Sequence, residues 1–104
     1  MGRLERDPLM APEGAGDPAA RRRARIQVEC RNRIRAVIDL PAQVNLQGAA
    51  LFGLLTYEEA TLLRDGLEWI LEMRRAARAC TSDAGRFGDW PDPPEGLAAL
   101  ARRY

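Results

Sequence analysis

The run Thr56-Tyr57-Glu58-Glu59 opens the segment that most restricts what this chain can become. It is a capping box, in which the Thr56 hydroxyl can accept from the Glu59 amide while the Glu59 carboxylate reaches back to the Thr56 amide, so a helix start is specified here. Beyond it Ala60, Leu63, Leu67, Ile70, Arg74 and Ala77 alternate spacings of three and four, and Leu62, Gly66, Trp69, Met73, Ala76 and Cys80 form an adjoining stripe. Two adjoining stripes give one long helix with a wide apolar face, and Thr61, Asp65, Glu68, Glu72 and Arg75 fall on its solvated side. Acids open this helix and Arg74, Arg75 and Arg78 close it, which suits its macrodipole. Gly66 in mid-helix costs about 1 kcal/mol relative to Ala, and close approach of another backbone is the expected reason. Leu55 and Ala60 are placed for a weak hydrophobic staple.

Upstream, Ile26, Cys30, Ile34, Val37 and Ile38 recur at helical spacing with arginines on the opposite side. The same stretch also alternates: Ala24, Ile26, Val28, Cys30, Ile34, Ala36, Ile38 and Leu40 hold even positions, the pattern of a half-buried strand. Length favours the helix, because a strand usually runs five or six residues and no second strand is visible to pair with this one. Pro41 restricts the residue before it, so the helix is expected to break near Asp39 and a short segment to resume through Val44, Leu46 and Leu51 until Gly53 stops it.

The flanks are different in kind. Residues 1–17 carry no periodic apolar face and read as a disordered tail, in which Met10 offers a second start. Residues 81–104 read as an extended arm, rich in Pro, Gly and Asp through residue 96, with a short helical stub from Leu97 to Tyr104. The expected architecture is therefore all-α: a helical hairpin over residues 18–80, a disordered N-terminal tail and an extended Pro-rich C-terminal arm. A core of roughly 60 residues is marginal alone, so an oligomer or a subunit of a complex is expected.

The chain of 104 residues has a formal net charge of +1 and no histidine, which removes the usual general base and the commonest metal ligand. Asp65, Glu68 and Glu72 share a face interleaved with Arg64 and Arg75, the pattern of a solvated surface, and neither a phosphate loop nor a nucleophile elbow is present. No catalytic, cofactor-binding or metal-binding residue is expected, and the chain reads as a protein other than an enzyme. Cys30 and Cys80 read as small hydrophobes in separate helices. No apolar run is long enough for a membrane span or a secretory signal, so the expected place is the cytoplasm.

All sixteen cationic residues are arginine. Residues 18–40 hold seven of them against two acids, and Arg21, Arg22, Arg23 and Arg25 are the candidates for contact with a phosphate backbone. That nucleic-acid reading is the lesser one, because it lacks interleaved aromatics and a helix-turn-helix spacing. The main reading is a polypeptide partner, a second copy included. Its candidate contacts are Leu63, Leu67, Trp69, Ile70 and Met73 on the long helix with Phe87 and Trp90 on the arm.

The order Gln43-Val44-Asn45-Leu46, Leu55-Thr56-Tyr57-Glu58-Glu59, Leu67-Glu68-Trp69-Ile70-Leu71-Glu72-Met73-Arg74 and Asp89-Trp90-Pro91-x-x-Pro94 resembles the C-terminal helical segment of tailed-phage tail fibre assembly proteins and related small prophage tail proteins. The likeness covers residues 24–96 and rests on the order and spacing of Trp69, Met73-Arg74 and Trp90-Pro91. It implies a phage or prophage tail protein that engages a fibre-like polypeptide without a cofactor, as an assembly helper or a minor tail component, in the host cytoplasm or in the virion. A prophage-encoded inhibitor that binds a host protein is the alternative it leaves open.

Overall fold

The computed structural model describes residues 17–80 and 90–104. They form four helices, α1 (Pro18–Val37), α2 (Leu40–Leu51), α3 (Tyr57–Ala79) and α4 (Leu97–Arg102), with no strand among the described residues. The fold is all-α, as the periodicities predict. Residues 1–16 of the expected tail, and Phe87 on the expected arm, lie outside the described residues.

Each helix start has a local cause. Asp17 caps α1 by accepting from the Ala19 amide at 3.0 Å, with Pro18 in the first turn, where its missing N–H is no loss. Ile38 is extended, which ends α1, and Asp39 then caps α2 by accepting from the Ala42 amide at 2.9 Å. Pro41 sits in the first turn of α2, so it permits the new helix while preventing the old one from continuing. The capping box of α3 forms as the sequence reads: Glu59 N–H donates to Thr56 Oγ1 at 3.0 Å and Thr56 N–H to Glu59 Oε1 at 2.9 Å.

The strand pattern over residues 24–40 yields to the helix for a packing reason. Ile26, Cys30 and Ile34 lie one helical turn apart and are buried together, whereas Ala24, Val28 and Ala36, which a strand would place on the same face as these three, are exposed. α1 and α3 run antiparallel as the expected hairpin, since Cys30 shares a groove with Ala77 and Val37 shares one with Trp69.

The core joins Cys30, Ile34 and Ile38 to Ala42 and Leu46 of α2, to Leu63, Trp69, Ile70 and Met73 of α3, and to Leu97, Leu100 and Ala101 of α4. The C-terminal stub is thus a structural element in its own right, fully enclosed at Leu97. A Cβ placed on Gly66 would come within 2.8 Å of a Leu97 methyl, so the close approach inferred for this glycine is made by a side chain of α4 and not by a backbone. The described part of the arm also folds back. Trp69 Nε1 donates to the Pro91 carbonyl at 2.9 Å, and Trp90 is half-buried against the core with the Arg33 guanidinium 5.4 Å from its ring centroid. Asn45 Nδ2 donates to the Tyr104 carbonyl, and Arg103 pairs with Glu59 at 3.0 Å, fastening the last residues to α2 and α3.

At two positions the expected stripes of α3 are corrected. Ala60 and Arg74 are exposed, so the core face starts at Leu63 and shifts onto Trp69 and Met73. Leu55 packs against the core.

Candidate protein-docking face

The structure gives the predicted contact residues a different task. Leu63, Trp69, Ile70 and Met73 are buried in the chain's own core, while Leu67 and Trp90 are partly buried and pack against it. None of these four buried side chains can reach a partner without unfolding. The signal that suggested them, a wide apolar face on a long helix, is satisfied by α1 and α4.

Arg21, Arg22, Arg23 and Arg25 occupy the first turns of α1. Arg21 and Arg25, four residues apart, share one side of the helix with Arg22 beside them, while Arg23 turns away from it. Among the described residues no group of His, Cys, Asp or Glu could hold a metal ion, and no helix is long and apolar enough to cross a membrane.

Among the described residues most of the large exposed apolar side chains lie on α2 and from the turn after it to Tyr57, with Val28 on α1, Leu71 on α3 and Tyr104 lying apart from them. The inward face of α2 is Ala42, Leu46 and Ala49, all buried. Leu40, Val44 and Leu51 are spaced four and seven residues apart, which places them on the opposite side, pointing away from the core. Val44 is 68 % exposed and Leu51 80 % exposed. A helix that is apolar on both faces is normally covered on both, and α2 is covered on one.

The turn extends this surface. Gly53 takes φ 71°, and the Leu54 amide donates to the Ala49 carbonyl at 2.9 Å while the Gly53 amide donates to Ala50 at 3.1 Å. These two bonds are a Schellman motif, which needs a left-handed residue and hence glycine. Phe52 and Leu54 project from the motif at 77 % and 70 % exposure, and Tyr57 on the first turn of α3 is 82 % exposed. Gly48 lies beside Val44 and Leu51 with open space where a Cβ would be, leaving a shallow hollow in the stripe.

One signal for this face was present in the sequence. From Leu40 to Tyr57 there is no charged residue, in a chain of which 30 % is charged. The segment shows little helical periodicity because apolar residues lie all round it, so a search for amphipathic stripes passes over it.

Charges begin on either side, at Asp39 and Glu58. Next to the turn, Glu59 accepts from the Thr56 amide and from Arg103, and these bonds hold its carboxyl below the ordinary glutamate range. Burial pushes the Cys30 thiol upward against the opposing pull of Arg74, Arg31 and Arg78. Cys30 is a buried free thiol. Comparison with protein families, with curated proteins and with solved structures finds no match to this chain.

Proposed function

We propose that this chain is a small helical interaction protein, without catalytic activity, that binds another polypeptide across the outward face of α2 and the turn through Tyr57. The observation that carries this reading is the exposure of Leu40, Val44, Leu51, Phe52, Leu54 and Tyr57 on one uncharged stretch of chain. Contiguous exposed apolar surface is a marker of protein association, and aromatic and aliphatic anchors such as Phe52 and Leu51 are the side chains that dominate interface energy. The biological setting follows the sequence resemblance: a phage or prophage tail protein that assists assembly of a fibre-like polypeptide, or a minor tail component, acting in the host cytoplasm or in the virion.

The test is co-expression with the product of the adjacent upstream gene, followed by size-exclusion chromatography with light scattering. The intact chain is expected to co-elute with the fibre-like product, and the Val44→Asp, Leu51→Asp double variant to elute alone with unchanged helicity. Co-elution of that variant as a full complex would overturn the assignment of this face. Self-association of the intact chain, abolished by the same variant, would make the partner a second copy.

A further inference from the structure

A second feature lies where α1 and α3 meet the start of α2. Arg31 and Arg35 from α1 and Arg74 and Arg78 from α3 line one groove of about 330 Å³, and no acidic residue lines it. The ion pairs made by Arg33, Arg64 and Arg103 do not involve these four, so all four lack a carboxylate partner among the described residues. All four are exposed. The helix macrodipole accounts for Arg35 and Arg78, which sit in last turns, but its effect fades before Arg31 and Arg74. The groove floor is apolar, formed by Cys30, Ile34 and Ala77. Leu40, the first residue of the α2 stripe, is part of the same wall, so the groove runs into the docking face without a break.

We propose that this groove seats an acidic segment of the partner polypeptide, with carboxylates on the four guanidinium groups and an apolar side chain against Ile34 and Ala77. The proposal rests on the reading of the chain as a polypeptide-binding protein and names the chemistry of that partner. Arginine suits the task because its planar fork donates two parallel hydrogen bonds to a carboxylate. A nucleic-acid strand is the poorer occupant. At its α2 end the groove runs into the uncharged stretch from Leu40 to Tyr57, which offers a phosphate backbone no further cation. An acidic peptide that carries apolar residues satisfies both surfaces at once.

The experiment is fluorescence anisotropy on the full chain with a short labelled peptide of glutamate and leucine. Its controls are the same peptide with glutamine for glutamate, and a single-stranded oligonucleotide. Binding of the acidic peptide is expected to weaken as salt rises and to fall at least ~10-fold in the Arg74→Glu, Arg78→Glu variant. Circular dichroism checks that this variant is folded, and Arg31→Gln with Arg35→Gln serves as a second, milder variant from the other wall. Equal affinity for the glutamine peptide, or unchanged binding in both variants, overturns the proposal. Tighter binding of the oligonucleotide, lost in the same variants, would overturn it in favour of nucleic acid. The Val44→Asp, Leu51→Asp variant separates the two readings: it should bind the acidic peptide normally while failing to hold the whole partner.

Discussion

α2 and α3 differ in how they use apolar residues. α3 is amphipathic: Leu63, Trp69, Ile70 and Met73 turn inward, while Arg64, Glu68, Glu72 and Arg75 turn outward. α2 has no charged residue, and Leu46 on one side and Val44 on the other are both apolar although only Leu46 is buried. The comparison teaches that an apolar stripe marks a docking face only when the chain itself leaves it uncovered. The conspicuous stripe, on α3, is the core, and the inconspicuous one, on α2, is the one the chain leaves exposed.

Substitutions inside the core should give the largest effect and test the α3 half of that contrast. Trp69→Ala or Leu97→Ala is expected to cost about 3–5 kcal/mol, enough to leave a domain of this size largely unfolded, as read by urea denaturation. Loss of under 1 kcal/mol at Leu97 would mean that α4 is an appendage. The paired surface change, Val44→Ala, should alter stability by no more than ~0.5 kcal/mol, because it removes little buried area.

Gly48→Ala sharpens the other half. Open space surrounds the missing Cβ, so alanine should stabilise α2 by up to ~1 kcal/mol through helix propensity. The same methyl fills the hollow beside Val44 and should weaken partner binding. A variant that melts higher and binds less tightly would assign that hollow to the interface; one that melts higher and binds as well would place the contact elsewhere on the face.

Thr56→Ala removes the cap between the two regions and should cost about 1 kcal/mol, measured as a shift in the denaturation midpoint. The smallest effect is the pH dependence of Glu59. Its folded carboxyl titrates below its unfolded value, so its contribution is present above the ordinary glutamate pKa. It is lost as pH falls from there through the folded value. Thermal melting of the parent and of Glu59→Gln should therefore differ at neutral pH and converge as pH falls from the ordinary glutamate range through the folded value. A constant gap across that window would show that the carboxylate charge is irrelevant to the cap.

Much of the local structure is legible in the sequence alone. The capping box at Thr56, the break near Asp39 with Pro41 and the stop at Gly53 are decided by a few neighbouring residues, and all three occur where the sequence places them. The candidate site was not legible in the same way. Phe87 lies outside the described residues, and Leu63, Trp69, Ile70 and Met73 became core because their partners come from distant stretches of the chain, α1 and α4. The uncharged run from Leu40 was visible, but periodicity cannot say which side of a helix with apolar residues on opposite faces is covered.

Sequence by itself determined the start of the long helix at Thr56, the break near Asp39 and the stop at Gly53, favoured helix over strand for residues 24–40, and offers no histidine for acid–base or metal chemistry. Tertiary structure alone decided that the C-terminal stub is core, that Trp69 and Pro91 are joined, and that four arginines from two helices share one groove. Caps and turns are set by hydrogen bonds within a few residues, whereas burial is a property of the whole packed chain. A side chain's exposure therefore cannot be read from its neighbours in sequence.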